Sequence, residues 1–210
     1  MLYNSGNKFT ATLEDYKYQH KLGSGGFGEV TSVEYRGNTY AMKKFTDSSN
    51  PQDFIDELNV LKYLVSKYKP TAELKVAFKS ASPDEKFYIV MDLLKGVPLS
   101  TLIEKAALDE TQKRYLTKTL MHHLHELHKL GVIHGDLKPL NIMVTTNGNI
   151  KIIDFGGSIM NAKWNSYYMG KFLTPLYAPR EILDYSRWSF ESDVWSFAVT
   201  VVRNTNCTHT

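Results

Sequence analysis

The chain has 210 residues, a formal net charge of +3 and an apolar fraction of 42%. This length can bury the core of one domain, or of one domain in two lobes, and the composition is ordinary for a soluble globular protein. Cys207 is the only cysteine, which excludes an intramolecular disulfide and a thiolate-rich zinc site. A reducing, intracellular compartment (cytoplasmic or nuclear) is therefore expected. The longest apolar runs are too short to cross a bilayer, and no membrane partner is expected.

The first third of the chain predicts antiparallel strands. Tyr16, Tyr18, His20 and Leu22 alternate with polar residues, which is the period of a half-buried strand. A glycine-rich segment follows, and a second strand then runs from Val30 to Tyr35. The turn Arg36-Gly37-Asn38 leads into a return strand at residues 39–43.

A helix is predicted next, because apolar residues between positions 53 and 64 recur every three or four residues. Glu57 lies among these apolar positions. Two further strands are predicted at residues 74–78 and 87–93, joined by a turn-rich segment at 80–84.

The character of the sequence changes after Lys95-Gly96-Val97-Pro98. Residues 111–130 are strongly helical, with leucines near one face, and short strands with loops follow between positions 131 and 154. Residues 193–202 are typical of a buried helix or strand. The order is thus mainly β first and mainly α later, with residues 95–98 as the predicted hinge.

The glycine-rich segment is Gly23-x-Gly25-x-x-Gly28-x-Val30. Glycines at this spacing let backbone N–H groups approach phosphate oxygens, although a plain glycine turn is an equally good interpretation of the segment alone. Lys43, on the return strand, could neutralise phosphate charge if Glu57 held it extended. Taken separately, an exposed lysine on a strand and an exposed glutamate on a helix would explain these two residues.

A second group of polar residues lies in His134-Gly135-Asp136-Leu137-Lys138-Pro139-Leu140-Asn141, with Asp154-Phe155-Gly156 further on. Asn141 and Asp154 offer the hard oxygen ligands that Mg²⁺ prefers. Asp136 can orient a hydroxyl and accept its proton, and Lys138 can reach a transferred phosphate. Phosphoryl transfer needs little more than clamped metal ions and an oriented nucleophile.

The order of these motifs resembles the eukaryotic protein kinase family over residues 16–202. The resemblance implies an α+β, two-lobed fold whose β-rich N-lobe, with one helix, covers about residues 14–94. This lobe would be followed by a hinge at 95–98, by a mainly α and incomplete C-lobe at about 99–202, and by a polar tail at 203–210. It also implies transfer of the γ-phosphate of Mg·ATP to a protein.

The resemblance assigns further roles, residue by residue. Residues for the ATP site are Leu22, Gly23, Gly25, Gly28, Val30, Ala41, Lys43, Met91, Asp92, Leu94 and Met143, with backbone groups of 92–94 facing the adenine. Lys43, Glu57, Asp136 and Lys138 would be catalytic, and Asn141 and Asp154 would hold Mg²⁺. Asp193 resembles the aspartate that holds the backbone of the catalytic loop. Leu61, Leu74, Phe155 and His134 match a stack of apolar positions found in active members of the family.

Lys138-Pro139 and Thr174-Pro175-x-Tyr177 resemble members that phosphorylate Ser or Thr in proteins. Gly135 stands where the family usually has arginine, so no phosphate on Ser158, Ser166, Tyr167 or Tyr168 should be needed to order the site. The alternatives are a pseudokinase or ATP-binding module without turnover and, because of His-Gly-Asp, a small-molecule phosphotransferase. His125 and His128 are three apart, which does not fit a zinc protease helix and indicates solvated or packing histidines. The basic residues Lys62, Lys67 and Lys69 are interpreted as a solvated helix face, and no nucleic-acid partner is expected.

Overall fold

The computed structural model describes residues 2–7, 9–10, 12–26, 28–46, 50–81, 85–170 and 174–205, without the side chains of residues 7 and 203–205. The chain divides into two compact units, Met1–Leu94 and Lys95–Thr210. Phe27 of the glycine-rich segment, positions 82–84 of the predicted turn, and Cys207 with the rest of the tail from 206 on lie outside the described residues. None of the helices formed by the described residues is long and apolar enough to span a bilayer.

The first unit is a six-stranded antiparallel sheet with one α-helix. In chain order its elements are β1 Tyr3–Asn4, β2 Lys17–Gly25, β3 Gly28–Tyr35, β4 Asn38–Phe45, α1 Pro51–Leu64, β5 Leu74–Lys79 and β6 Phe87–Asp92. The spatial order of the strands is β1-β5-β6-β4-β3-β2. The hairpin of β3 and β4 and the strands β5 and β6 occur where the alternating sequence predicts them.

The two faces of this sheet bury different side chains. One face carries an aromatic cluster that includes Tyr35, Phe78 and Tyr88, and the segment before β2 covers it with Phe9 and Tyr16. The other face carries Ala41 and Lys43, which are two residues apart on β4 and therefore point the same way.

Helix α1 begins and packs as its sequence predicts. Asn50 and Asp53 form a capping box at its N-terminus, and Pro51 occupies the first turn, where a missing N–H costs nothing. Phe54, on the buried side, packs edge-on against Phe45 and stacks on Phe87. The same buried side of the helix carries Glu57.

The second unit is mainly helical. Its elements are β7 Gly96–Pro98, α2 Leu99–Glu104, α3 Glu110–Lys129, β8 Ile142–Thr145, β9 Ile150–Ile152, α4 Arg180–Tyr185 and α5 Phe190–Thr205. Strands β7, β8 and β9 form a small antiparallel sheet. A capping box of Asp109 and Gln112 starts α3, which buries the leucines that the helical spacing predicts.

Three expectations need correction. The segment 16–22 is not a half-buried strand: Tyr16 is buried but precedes β2, whereas Tyr18 and Leu22 on β2 are 52% and 44% exposed. Both lie on β2, the edge strand of the sheet, where the hydroxyl of Tyr18 still contacts Met42 Sδ at 3.6 Å. Residues 193–202 form part of helix α5, but Val194, Trp195 and Val202 are exposed rather than buried. Three of the four residues predicted as hinge form strand β7.

Candidate active site

A buried ion pair links α1 to the sheet of the first unit. Lys43 Nζ lies 2.7 Å from Glu57 Oε2, and the two side chains are only 7% and 2% exposed. Lys43 is fixed in the middle of β4 by pairing with Val30 on one side and Ile89 on the other. An ammonium at such a site needs a close carboxylate to offset the loss of its hydration. The exposed-lysine and exposed-glutamate interpretation is therefore wrong.

Apolar residues predicted for the ATP site share the face of Lys43. Val30 lies directly opposite Lys43, and Ala41 lies opposite Met91 on β6. Opposite residues of an antiparallel pair point to the same side of the sheet, so Val30, Ala41 and Met91 surround Lys43 on one face. Ala41 is buried, while Val30 and Met91 are partly exposed. Ser32, opposite Ala41 on the same face, is buried and donates to Gln19 Oε1 at 2.8 Å, so this face combines apolar side chains with the ion pair and a hydrogen-bonded hydroxyl.

The glycine-rich segment forms the connection between β2 and β3, where Gly25 pairs with Gly28. A Cβ at Gly28 would lie 2.2 Å from the carbonyl oxygen of Lys44, so packing within the sheet requires this glycine. At Gly23 and Gly25 a Cβ would meet nothing within 4 Å. Packing does not explain these two glycines, which leaves the approach of a ligand to the backbone as a reason for them. Leu22, beside them on β2, is largely exposed.

Asp92 and Leu94 end the first unit. The backbone N–H of Asp92 donates to the carbonyl of Glu73 at 3.0 Å. Its carboxylate is paired with Lys75, with Oδ1 3.1 Å from Nζ. The N–H of Asp92 is therefore engaged within the first unit, and Leu94 follows it as a partly exposed residue.

In the second unit, the carboxylate of Asp136 is the centre of a hydrogen-bond network. Lys138 Nζ lies 2.6 Å from Oδ2, and the hydroxyl of Thr174 donates to Oδ1 at 2.6 Å. Asn141 Nδ2 donates to both the carbonyl and Oδ2 of Asp136, at 2.9 and 3.2 Å. Lys138 also donates to Thr174 Oγ1 at 2.8 Å. These donors fix the orientation of a carboxylate that is 8% exposed.

The loop that carries Asp136 is anchored to α5. Asp193 Oδ2 accepts from the N–H of His134 at 2.7 Å, and Oδ1 accepts from the N–H of Gly135 at 2.9 Å. The ring of His128 on α3 contacts the same carboxylate at 3.0 Å. The predicted role of Asp193 in holding this backbone is confirmed by these contacts. His128 is a packing histidine, whereas His125 is exposed.

Asn141 and Asp154 lie at the same end of the antiparallel pair β8–β9. Asn141 immediately precedes β8, and its carbonyl accepts from the N–H of Ile153, the neighbour of Asp154. Asp154 is exposed and has a φ of 63°, a left-handed conformation that is uncommon outside glycine but that Asp adopts more readily than most residues. Met143 is partly buried on β8, opposite Lys151. The structure therefore brings the two predicted Mg²⁺ ligands close together.

The donor set fits a magnesium ion better than a transition metal. Within the described residues, no cluster of three or more His, Cys, Asp or Glu side chains could hold a metal. Asn141 turns its Nδ2 toward Asp136, which leaves its amide oxygen as the metal-binding atom. Mg²⁺ commonly takes one or two protein oxygens and completes its shell with waters and phosphate oxygens.

Sequence reasoning missed two side-chain contacts near Asp136. Thr174 was singled out by its motif, but its bond to Asp136 joins residues 38 positions apart, which no local pattern reveals. Trp188 carried no motif at all, yet it is buried and bonds to the carbonyl of Gly135. A solitary tryptophan between Arg187 and Ser189 offers no signal by itself.

The first unit carries a lysine–glutamate pair beside a glycine-rich loop. The second unit carries a fixed aspartate beside an amide–carboxylate pair. These groups define a phosphotransferase-like protein. The family model of the protein kinase domain matches residues 16–209. The chain therefore belongs to the protein kinase family. The α+β fold, with a β-rich unit carrying one helix and a mainly α unit, agrees with this membership.

Several curated kinases are similar to the chain. A probable serine/threonine-protein kinase of Dictyostelium discoideum is 32% identical over 69% of the chain and 32% of that protein. The mitogen-activated protein kinase mpkC of Aspergillus terreus is 31% identical over 91% of the chain and 51% of that protein. The mitogen-activated protein kinase HOG1 of Candida albicans is 32% identical over 86% and 48% respectively. The chain thus spans between a third and about half of these relatives.

Proposed function

We propose that the chain is an ATP-dependent protein kinase that phosphorylates Ser or Thr hydroxyls of proteins. The observation that carries this proposal is the fixed carboxylate of Asp136, which Lys138, Thr174 and Asn141 hold by hydrogen bonds. A carboxylate oriented in this way can receive the hydroxyl of a substrate and take its proton as the phosphate is transferred. Lys138, beside it, would offset negative charge on the transferred group.

Lys43 is proposed to bind the phosphates of ATP, with Glu57 keeping its ammonium in place at 2.7 Å. Gly23 and Gly25 support this role because their backbone is open to an approaching ligand. Val30, Ala41 and Met91, on the face of Lys43, would contact the adenine. Asp92 would contribute its carbonyl, and Leu22 and Leu94 would border the base.

Asn141 and Asp154 would hold Mg²⁺, which, when bound, neutralises phosphate charge and orients the phosphates. The backbone bond from Ile153 to Asn141 keeps the two ligand positions near each other. The exposure of Asp154 suits an ion that retains part of its water shell. The contact of Asn141 with Asp136 would keep the metal-binding amide in register with the carboxylate that orients the hydroxyl.

Specificity for Ser and Thr is supported by the bonds that join Lys138, Thr174 and Asp136. Thr174 would border a hydroxyl that approaches the carboxylate of Asp136. The Dictyostelium relative is a probable serine/threonine-protein kinase, and the Candida relative is the mitogen-activated protein kinase HOG1. A protein carrying Ser or Thr is therefore the proposed substrate, and the identity of that protein is left open.

The test is transfer of labelled phosphate from Mg·ATP to a generic basic protein by the purified chain. Asp136→Asn should lower transfer by about 10²- to 10⁴-fold while ATP still binds. Asp184→Asn removes an exposed carboxylate of the same unit and serves as the matched control. Phosphoserine and phosphothreonine in the product, without phosphotyrosine, would support the specificity.

Two other outcomes would replace this proposal. ATP binding without transfer by the wild type would identify an ATP-binding module without turnover. Transfer to amino sugars or choline-like alcohols, but not to protein, would identify a small-molecule phosphotransferase.

A further inference from the structure

Trp188 connects two loops of the second unit. Its side chain is 4% exposed, and its indole N–H donates a long hydrogen bond of 3.4 Å to the carbonyl of Gly135, the residue before Asp136. Its backbone pairs with Tyr168 through two hydrogen bonds of 2.9 Å. Trp188 thus contacts both the loop that carries Asp136 and the segment at residues 157–170, named here loop 157–170.

Two glycines make room for these contacts. A Cβ at Gly170 would lie 2.3 to 2.8 Å from three atoms of the indole, so the ring packs directly on the backbone there. Gly135 has a φ of +82°, and a Cβ at this position would lie 2.4 Å from the carbonyl oxygen of Gly157. Larger residues at either glycine would push loop 157–170 away from Asp136.

Further bonds fasten the beginning of loop 157–170. Ile133 and Ile159 form a backbone bridge, and the hydroxyl of Ser158 donates to the carbonyl of His134 at 2.9 Å. None of these bonds involves a phosphate or a charged side chain. Trp188 performs the same task at the other end of the loop, where it contacts Tyr168 and Gly170.

We propose that Trp188 is a positioning residue that holds loop 157–170 against the loop of Asp136 while the chain is unphosphorylated. This inference rests on the proposed function, because the residue positioned is Asp136, the neighbour of Gly135. The indole packs on Gly170 and bonds to Gly135, and these contacts hold loop 157–170 in one conformation. An arginine–phosphate pair would otherwise fix that conformation. The chain would then transfer phosphate to its substrate without first being phosphorylated at Ser166, Tyr167 or Tyr168.

The experiment compares phosphatase-treated wild type, Gly170→Ala, Trp188→Phe and the double variant. The methyl of Gly170→Ala collides with the indole, and we expect kcat for the basic protein to fall at least about tenfold with the KM for ATP nearly unchanged. Phenylalanine lacks the second ring that faces Gly170, so the double variant should recover kcat relative to Gly170→Ala alone. Trp195→Phe, an exposed tryptophan on α5, is the matched control and should behave as wild type.

Hydrogen exchange at the amides of Tyr168 and Trp188 provides a readout that needs no activity. In Gly170→Ala these amides should exchange at least about tenfold faster, and in the double variant at nearly the wild-type rate. Loss of wild-type activity on phosphatase treatment, strictly additive losses in the double variant, or unchanged exchange in Gly170→Ala would each overturn the inference. If wild type transfers no phosphate at all, the proposed function fails, and exchange alone then decides the role of Trp188.

Discussion

Lys43 Nζ lies 2.7 Å from Glu57 Oε2 inside the first unit, and both side chains are almost inaccessible to water. Glu57→Ala deprives a buried ammonium of its closest carboxylate. We expect the free energy of unfolding to fall by about 3–5 kcal/mol, measured by chemical denaturation. The double variant Lys43→Met with Glu57→Leu should restore much of this stability, since apolar pairs often replace buried ion pairs without loss. It should nevertheless transfer no phosphate, which separates folding from function.

The hydroxyl of Thr174 bridges Asp136 and Lys138, at 2.6 and 2.8 Å. Thr174→Ala removes both bonds, so Lys138 and Asn141 hold the carboxylate through Oδ2 alone and its orientation is less restricted. We expect kcat for the basic protein to fall about tenfold to a hundredfold, with ATP affinity unchanged. Thr174→Ser keeps the hydroxyl and should retain most of the activity. Equal losses in the two variants would argue against a role for the hydroxyl.

Asp193 accepts two backbone hydrogen bonds and contacts His128 in the interior of the second unit. Asp193→Ala leaves the N–H groups of His134 and Gly135 without their acceptor. Because hydrogen bonds to a buried charge are among the stronger ones, the free energy of unfolding should fall by about 3 kcal/mol or more. Asp184→Ala, at an exposed position on α4, should change it by less than about 0.5 kcal/mol in the same denaturant titration.

Local patterns predicted those parts of the fold that depend on neighbours in sequence. Helix α1 and the position of Glu57 on its buried side follow from helical spacing, and the hairpin of β3 and β4 follows from alternation around a glycine turn. The loop of Asp136 and the pair Asn141 and Asp154, proposed to hold Mg²⁺, could be predicted because their residue types occur in a specific order.

What remained hidden depends on contacts between distant residues. Strand β1 has only two residues, and Tyr3 belongs to it because it pairs with Ala77 on β5. A segment this short shows no alternation from which a strand could be predicted. The alternation of Tyr18 and Leu22 predicted burial, but an edge strand without a covering layer leaves both exposed. The packing of Trp188 on Gly170 likewise requires a pairing that periodicity does not encode.

His123 makes stability depend on pH. Its partial burial on α3, together with the nearby charges of His122 and Lys151, lowers the pKa of the ring from 6.5 to about 4. Between pH 6.5 and about 4, the unfolded chain binds a proton at His123 that the folded protein does not. The free energy of unfolding is therefore unaffected by His123 above pH 6.5 and decreases as the pH falls from 6.5 toward 4. We expect the loss to be roughly 1–2 kcal/mol, since water still screens part of the ring. Denaturation of His123→Leu at pH 7 and pH 4.5 should show a smaller difference than wild type, and an equal difference would contradict the assignment.

Phe9 completes the aromatic cluster of the first unit from outside the regular strands. It stacks on Tyr35, with ring centroids 5.4 Å apart, and meets Tyr40 edge-on at 5.3 Å. Asn4 fastens its backbone through a bond from Nδ2 to the carbonyl of Phe9. Phe9→Ala would leave a cavity over the sheet and should lower the free energy of unfolding by about 3 kcal/mol. Leu2→Ala, at a position that is 48% exposed, should cost less than about 0.5 kcal/mol. A similar cost for both would mean that the segment before β2 contributes no specific packing, because only a side chain enclosed by Tyr35 and Tyr40 can lose more than its exposed neighbour.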